Sequence, residues 1–209
     1  MKKTFVLVVL FVLPIVAYLF FASGVTNFGK LAQLTKDVHE IDFSDQVQFK
    51  GKITVLGFLG SDVEGRKGNA FNLNQKIYKR FYEFGDFQFV MLISKDQESE
   101  VEALKTELAT LADNDKWNFV YASDEQINSI FKSLKTDIEL DAKYSTPYVF
   151  IVDKDLTLRG RSNDEEDGTK YGFNSNSVAD LNNKMVDDVK IILAEYRLAL
   201  KKNNPDSAK

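Results

Sequence analysis

Buried-strand runs and amphipathic stretches alternate along the chain after residue 50. Residues 53–59 (ITVLGFL) and Phe87–Ser94 (FQFVMLIS) are apolar at nearly every position. A strand that is covered on both faces has this composition, so we expect both runs near the centre of a sheet. Between them, residues 69–84 carry apolar side chains at intervals of three and four, which predicts a helix that ends at Gly85.

Serine residues mark the predicted helix starts that follow. Ser99 with Glu102, and Ser123 with Gln126, both match the capping box, in which the serine oxygen accepts an N–H and the later side chain reaches back. An amphipathic stretch follows each serine. Residues 117–123 between these stretches are predicted to form a short strand.

A hairpin and a long helix are predicted to close the domain. Residues 148–152 and 157–161 are the expected hairpin strands, with the turn at residues 153–155. Ser177 and Asp180 then mark the start of a long amphipathic helix. The order β-α-β-α-β-α-β-β-α predicts an α/β fold with a central mixed β-sheet flanked by helices, in which parallel pairing comes first and an antiparallel hairpin closes.

The N-terminal residues 1–25 are predicted to be a membrane anchor or signal segment. Lys2 and Lys3 precede an uncharged apolar run over residues 5–21, and small residues follow at positions 22–24. The run exceeds a usual signal-peptide core of roughly 7 to 15 residues and reaches the lower limit for crossing a bilayer, so we favour one uncleaved transmembrane helix over a cleaved signal. The positive-inside rule then places the rest of a single-pass protein on the periplasmic (extracytoplasmic) side of the inner, cytoplasmic membrane.

Three further segments follow the anchor. Residues 26–48 form a polar lead-in or linker, in which the apolar alternation around Val38 and Ile41 suggests an edge strand. Residues 49–202 are the expected domain, and residues 203–209 are the expected disordered tail.

Composition and charge narrow the function classes. The chain has 209 residues, 44% hydrophobic and 28% charged, which suits one domain with an attached segment. The net charge is -4, and lysine and arginine are dispersed, so we expect no nucleic-acid partner. The chain has no cysteine, which excludes disulfides, thiolate metal sites and cysteine nucleophiles. We expect no cofactor.

The turn after the first core strand, residues 57–68 (GFLGSDVEGRKG), is a common place for chemistry in α/β proteins of this size. Ser61 and Glu64 match a Ser-x-x-Glu box, so a helix cap or turn is the simplest interpretation. Glycine has a low helix propensity, so Gly65 and Gly68 favour a helix that starts only at residue 69. Asp62 and Glu64 could alternatively form an acid/base pair, which requires a pocket that separates their pKa values.

Thr146 and Pro147, in YSTPYVFIVD, directly precede the first hairpin strand. With the element order, this placement resembles the thioredoxin-like fold, which carries a cis-proline there, so we expect a cis Thr146–Pro147 bond. Over roughly residues 50–200 the chain most resembles the Sco/SenC branch of that superfamily, membrane-anchored copper proteins associated with the assembly of cytochrome oxidase. The shared features are the anchor, the strands ITVLGFLG, FVMLIS and YVFIVD, and an insertion before the last helix.

The resemblance implies a copper site whose ligands are missing. Sco/SenC proteins hold Cu(I) with two cysteines four positions apart after the first core strand and a histidine ahead of the late strand. These positions fall approximately on Ser61, Gly65 and Ser145, and none of these residues can replace a thiolate or an imidazole. The resemblance therefore predicts a vestigial active site, made of Ser61, Asp62, Glu64, Gly65, Ser145, Thr146 and Pro147.

Metal binding elsewhere has little support. Asn163, Glu165 and Asp167 follow the order of the first positions of a Ca²⁺ loop, but Asn174 stands where a bidentate glutamate is needed. A solvated acidic loop is the simpler interpretation. His39 is the only histidine and has no second histidine or cysteine to share a metal with.

Tyr171 and Phe173 follow the acidic run and are unusual for a plain linker. We expect them to fold back over the vestigial face or to present an aromatic anchor to a protein partner, which the sequence does not identify. The expected function is a membrane-anchored, redox-inactive, Sco/SenC-related protein that acts as a non-catalytic binding or assembly factor for respiratory cytochrome oxidase complexes. The alternatives are a carboxylate-dependent enzyme at Asp62 and Glu64, and a Ca²⁺-stabilised interaction module.

Overall fold

The computed structural model describes residues 10–16 and 30–203, with side chains up to residue 199. Residues 10–16 form a helix with exposed side chains. Within the described ranges, no helix is both long enough and apolar enough to cross a bilayer. Most of the predicted anchor and residues 204–209 of the predicted tail lie outside the described residues.

Strands and helices alternate from residue 32 onward. The strands are β1 (Ala32–Thr35), β2 (Ile53–Gly60), β3 (Phe87–Ser94), β4 (Trp117–Ala122), β5 (Tyr148–Val152), β6 (Leu158–Asp164), β7 (Gly168–Lys170) and β8 (Phe173–Asn174). The helices are α1 (Lys67–Leu73, a π-helical turn at Asn74–Tyr78, then Lys79–Phe81), α2 (Glu98–Ala109), α3 (Asp124–Ser133) and α4 (Val178–Asp180, a π-helical turn at Leu181–Met185, then Val186–Asn203).

The sheet has the order β1-β6-β5-β2-β3-β4, with β7 beside β6 and β8 beside β5. The strands β2, β3 and β4 pair in parallel, whereas β5 pairs antiparallel with both β2 and β6. Parallel strands that are joined by helices and closed by an antiparallel hairpin form the predicted mixed sheet. The topology is that of a thioredoxin-like α/β fold.

Alternate residues of the central strands enter two separate cores. In β3, Phe89 and Met91 face the core that contains α1, α2 and α4, whereas Val90 and Leu92 face the core that contains α3. All four side chains are buried. The apolar runs in the sequence therefore correspond to strands that are covered on both faces, as predicted.

The edge strand lies earlier in the chain than the predicted one around Val38 and Ile41. The strand is β1, at Ala32–Thr35, which pairs with β6. Val38 and Ile41 are buried in the core with α3 but lie outside any strand. The N–H groups of Ile41 and Phe49 donate to the Glu40 carboxylate at 2.9 and 2.6 Å instead of to a neighbouring strand. An apolar alternation that packs a loop resembles one that packs a strand.

Of the three serine caps predicted after β3, two are confirmed and one is wrong. Ser123 Oγ accepts the N–H of Gln126 at 3.3 Å, and the Gln126 side chain accepts the N–H of Ser123 at 2.8 Å. Ser177 Oγ accepts the N–H of Asp180 at 3.1 Å. Ser99 does not cap α2, because that helix already begins at Glu98 and the Ser99 hydroxyl donates to Glu100.

Candidate functional site

Two loops meet at one end of the sheet. Residues 61–66 follow β2 and residues 141–147 precede β5, and these two strands are antiparallel neighbours. The Ser61 N–H donates to the Lys143 carbonyl at 2.9 Å. Gly60 adopts a φ of +52°, and a Cβ there would lie 2.0 Å from that carbonyl oxygen, so the approach of the loops requires glycine.

Charged side chains bind the two loops together. We refer to Asp62, Arg66, Asp141, Lys143 and Ser145 as the loop cluster. Arg66 Nη2 donates to Asp141 Oδ2 at 2.9 Å, and Arg66 Nε donates to Ser145 Oγ at 3.0 Å. Lys143 Nζ donates to Asp62 Oδ1 at 2.7 Å, and Arg66 Nε lies 3.9 Å from Asp62 Oδ2. Every charged side chain of the cluster has a partner on the other loop.

Asp141 accepts most of the hydrogen bonds of the loop cluster. Its Oδ1 accepts the N–H groups of Lys143 and Ser145 at 2.9 and 3.0 Å, and its Oδ2 accepts the Ser145 hydroxyl at 2.8 Å. Burial alone would raise the pKa of Asp141, but the bonds from Ser145, Lys143 and Arg66 together lower it. The carboxylate is therefore held ionised beside Arg66.

The positions that the resemblance aligns with copper ligands lie on these two loops, but each has a different environment. They are Ser61, Gly65 and Ser145. Ser145 is 1% exposed, and its hydroxyl is engaged by Arg66 and Asp141. A Cβ on Gly65 would lie 2.5 Å from the Asp62 carboxylate, so this carboxylate occupies the space that a larger residue would need. Ser61 lies in the turn, where its hydroxyl points to the Lys143 carbonyl at 3.4 Å.

The predicted helix cap at Ser61 is wrong, and the alternative prediction of a turn is right. Residues 61–66 form turns, and α1 begins at Lys67, two residues before the predicted start. The Arg66 N–H donates to the Asp62 carbonyl at 3.0 Å, so the turn leads directly into the helix. The glycine at position 68 lies in the first helical turn and does not delay it.

The predicted cis bond before Pro147 is also wrong, because the Thr146–Pro147 peptide is trans. The trans isomer of an X-Pro bond is favoured by roughly 0.5–1 kcal/mol. It also leaves the neighbouring backbone groups paired: the Thr146 N–H donates to the Phe58 carbonyl at 3.1 Å, and the Ser175 N–H donates to the Pro147 carbonyl at 2.9 Å.

The arrangement gives Asp62 and Glu64 no shared pocket. Asp62 is engaged by Lys143 and Arg66, whereas Glu64 is exposed at the surface of the turn. An acid/base pair needs two carboxyl groups whose surroundings separate their pKa values around one substrate position. The geometry therefore does not favour the carboxylate-enzyme alternative.

Sequence reasoning missed three members of the loop cluster, Arg66, Asp141 and Lys143. Asp141 accepts the N–H two residues later, a turn that aspartate commonly forms. That propensity is a local signal that could have been used. Arg66 carries no such signal, because its partner Asp141 is 75 positions away in the sequence.

Tyr171 and Phe173 have different environments. Phe173 is 0% exposed, and it lies in β8 opposite Val149, so the prediction that it presents an aromatic anchor to a partner is wrong. Burial of its ring in the core with α4 is the physical reason. Tyr171 is only partly buried. β8 pairs with the start of β5 beside Pro147, whereas a fold-back of the two rings over the vestigial face stays a prediction.

A groove of about 730 Å³ lies beside this fold-back. We call it the Tyr171 groove. Pro147, Tyr148 and Ile138 contribute apolar surface to it, together with Tyr171. Its lining also carries five carboxylates and two lysines, namely Asp137, Glu139, Glu166, Asp167 and Asp180 with Lys170 and Lys184.

The predicted acidic loop is the turn of a hairpin between β6 and β7. Lys184 Nζ donates to Asp164 Oδ1 and Glu166 Oε2, both at 2.7 Å, and Lys170 Nζ donates to Asp167 Oδ2 at 2.8 Å. Asn174, by contrast, belongs to β8. Of the predicted Ca²⁺-loop residues, Asp167 is therefore already paired with a lysine, whereas Asn163 and Glu165 are exposed.

His39 does not converge with metal ligands. It is exposed, and its Nδ1 lies 3.1 Å from Ser129 Oγ. Within residues 10–16 and 30–203, no group of three histidine, cysteine, aspartate or glutamate side chains is placed to hold a metal ion.

No protein-family model and no curated protein matches the chain. Similar solved structures include the soluble domain of Sco1 from Bacillus subtilis, at 17% identity and a TM-score of 0.46, covering 79% of this chain and 97% of that chain. Apo Sco1 from Thermus thermophilus has 14% identity and a TM-score of 0.45, covering 79% and 96%. The thioredoxin domain of a thiol-disulfide oxidoreductase from Bacteroides vulgatus has 16% identity and a TM-score of 0.42, covering 73% and 95%. Likeness at this level says nothing about a shared function.

Proposed function

We propose that this cysteine-free, thioredoxin-like chain is a non-catalytic binding or assembly protein. The observation that carries the proposal is the loop cluster. Thiol-disulfide exchange needs a thiolate, and the resemblance to Sco/SenC proteins implies a Cu(I) site that uses two of them, whereas the chain has no cysteine. In the place where such groups were expected, Arg66 and Lys143 close the two loops with ion pairs to Asp141 and Asp62. A closed, charge-paired contact is suited to a structural role.

We place the partner-binding surface at the Tyr171 groove. Its lining includes partly exposed apolar and aromatic side chains, among them Tyr148 and Tyr171, and aromatic residues are enriched at protein interfaces. Asp137 and Glu139 of the lining are exposed. Lys170 and Lys184 are each paired with carboxylates, so the lining has an excess of negative charge that favours a basic segment of a partner.

We further propose that the chain is anchored in the membrane and acts in respiratory assembly. Lys2 and Lys3 ahead of the apolar residues 5–21 support an anchor with the domain on the extracytoplasmic side. The resemblance to Sco/SenC proteins in the order of elements and in the position of the two loops supports a role in the assembly of cytochrome oxidase.

The assembly role is tested by deleting the gene in its own host. Oxidase activity in membranes is expected to fall and to return when the full chain is supplied. The Tyr171→Ala variant is expected to restore less than the wild type, because the groove loses its aromatic contact. Full oxidase activity in the deletion strain would contradict the assembly role.

One matched variant, Ser162→Ala, controls this experiment. Ser162→Ala, on the exposed part of β6 outside the groove lining, is expected to restore full activity at equal protein level. Phe173→Ala is unsuitable as a partner test, since removal of a fully buried ring costs about 3–5 kcal/mol of folding free energy. A Tyr171→Ala variant that restores activity fully would remove the groove from the proposal.

The proposed absence of redox and copper chemistry is tested separately on the purified full chain. Titration with Cu(I) against a competing chelator is expected to show no tight stoichiometric binding, and reduction of insulin disulfides is expected to stay at the rate of the reductant alone. Tight binding of one Cu(I) per chain would contradict the proposal that the chain has lost the copper site of Sco/SenC proteins.

A further inference from the structure

Part of the negative charge in the Tyr171 groove is neutralised by the chain itself. Lys170 Nζ lies 2.8 Å from Asp167 Oδ2 and 3.0 Å from Asp180 Oδ1, and the lysine is only 6% exposed. Its ammonium group also lies 5.6 Å from the centre of the Phe173 ring. A buried lysine that contacts two carboxylates and an aromatic face serves the fold and does not reach a partner.

The second lysine of the groove lining is engaged in the same way. Lys184 Nζ lies 2.7 Å from Asp164 Oδ1 and also 2.7 Å from Glu166 Oε2. Each resident lysine therefore bridges two carboxylates. Together the two lysines pair with every carboxylate that the β6–β7 hairpin and the start of α4 contribute to the lining.

The lining has two further carboxylates, Asp137 and Glu139, in the segment between α3 and β5. Among the side chains that the structure describes, neither carboxylate forms an ion pair, and both residues are exposed. They flank Ile138, which packs against the same hydrophobic core as Tyr148 and Tyr171. Two carboxylates without a cation thus share the groove with two partly exposed tyrosine rings.

The remaining charge of the groove matches an arginine side chain of a partner. A guanidinium group is planar, donates to two carboxylate oxygens at once and stacks on aromatic rings, whereas the ammonium group of lysine is a strongly hydrated point charge. We propose that the partner segment bound in the Tyr171 groove carries an arginine that pairs with Asp137 and Glu139 and stacks on a tyrosine ring of the lining. This assignment rests on the proposed role of the groove as the partner-binding surface.

Peptide binding to the full chain in detergent tests the assignment. The probe is the dye-labelled peptide Gly-Arg-Gly-Arg-Gly amide, compared with peptides in which lysine or citrulline replaces arginine. Citrulline has the shape of arginine without its charge. Fluorescence anisotropy is expected to give the arginine peptide a Kd roughly tenfold lower than the citrulline peptide and roughly threefold lower than the lysine peptide. An arginine peptide that binds no more tightly than either of the others would overturn the proposal.

Two double variants with the same change in net charge locate the contact. Asp137→Asn combined with Glu139→Gln is expected to raise the Kd of the arginine peptide roughly tenfold, because the charge-assisted hydrogen bonds are lost. Asp113→Asn combined with Asp115→Asn is the matched control, since these exposed carboxylates are also two positions apart but lie outside the groove lining. The control is expected to bind as the wild type does. Equal increases in Kd for both double variants would attribute binding to overall charge and overturn the proposal.

The same variants separate the arginine contact from the proposed assembly role. In the gene-deletion strain, the Asp137/Glu139 double variant is expected to restore less oxidase activity than the Asp113/Asp115 double variant. Full restoration by the Asp137/Glu139 variant, together with poor restoration by Tyr171→Ala, would overturn the arginine contact and keep the groove as the partner surface. If deletion leaves oxidase activity intact while the peptides bind in the expected order, the assembly role is wrong and the arginine contact is supported.

Discussion

At the scale of residues, Arg66 connects the two loops of the candidate site. Its side chain is 16% exposed and touches Asp141, Ser145 and Asp62. A hydrogen bond to a charged group contributes more than a neutral one. Arg66, which is itself largely buried, thus supplies the positive charge that pairs with the carboxylates of Asp141 and Asp62.

Replacement of Arg66 should therefore lower stability. Arg66→Gln is expected to reduce the free energy of unfolding by roughly 1–3 kcal/mol, because Asp141 loses its cation. Chemical denaturation monitored by circular dichroism measures this. The matched control is Arg80→Gln, since Arg80 makes one exposed bond of 3.3 Å, to Asn182. Equal losses of unfolding free energy for both variants would show that the contacts of the loop cluster stabilise the fold no more than one exposed hydrogen bond does.

Phe173 and Tyr171 illustrate how residues with the same local signal diverge. Both are aromatic, and both follow the acidic hairpin. The pairing of β8 with β5 directs Phe173 into the core, whereas Tyr171 remains partly exposed in the groove. Sequence alone identified the segment as unusual, but it could not assign the two rings to different roles.

At the scale of elements, the helix starts show which local signals are sufficient. Ser123 and Ser177 cap their helices because each is followed directly by the helix and has an extended backbone. Ser99 has the same sequence context but lies inside α2. A capping motif therefore identifies the approximate start of a helix, and tertiary packing decides the residue at which the helix begins.

This difference predicts unequal effects of two alanine substitutions. Ser123→Ala is expected to cost about 1 kcal/mol, or a decrease in melting temperature of about 2–4 °C, because the Gln126 N–H loses its acceptor. Ser99→Ala is expected to change the melting temperature little, since its hydroxyl touches only Glu100. Thermal denaturation of both variants in one buffer makes the comparison. A larger loss for Ser99→Ala would contradict the assignment.

At the scale of the whole molecule, buried ion pairs join distant parts of the chain. Arg159 is 1% exposed and donates to the Leu31 carbonyl at 2.6 Å, to Asp153 at 2.9 Å and to Glu195 at 2.7 Å. It thereby links the segment before β1, the hairpin turn and α4. The predicted lead-in contributes β1 to the sheet, and Leu31, directly before β1, is held by Arg159.

Ion pairs of this kind make stability depend on pH. Burial alone would raise the pKa of Asp164, but hydrogen bonds from Lys184 and from the N–H groups of Glu166 and Asp167 lower it from 3.8 to about 2. A carboxylate with a lowered pKa stabilises the fold above its unfolded pKa and loses this contribution as pH falls towards the folded value. Burial raises the pKa of Asp188, so the contribution of this group to stability has the opposite pH dependence and decreases as the pH rises.

Acid unfolding should therefore be sensitive to Asp164. The wild-type chain is expected to lose stability between about pH 4 and about pH 2, and the Asp164→Asn variant should lose less over this interval. Urea denaturation at several pH values measures the difference. Asp187→Asn is the matched control, because Asp187 belongs to an exposed pair with Lys190. Parallel curves for wild type and Asp164→Asn would contradict the assignment.

The sequence by itself determined the alternation of elements and the two-faced burial of β2 and β3, because a strand covered on both sides must be apolar throughout. It also determined what chemistry is excluded, since no packing can create a thiolate in a chain without cysteine. Only the tertiary structure decided which charges meet. Arg66 and Asp141 lie 75 positions apart, and their contact depends on β2 and β5 being antiparallel neighbours. Local patterns carry no information on such pairing, so the loop cluster, the burial of Phe173 and the trans bond at Pro147 became apparent only in the folded chain.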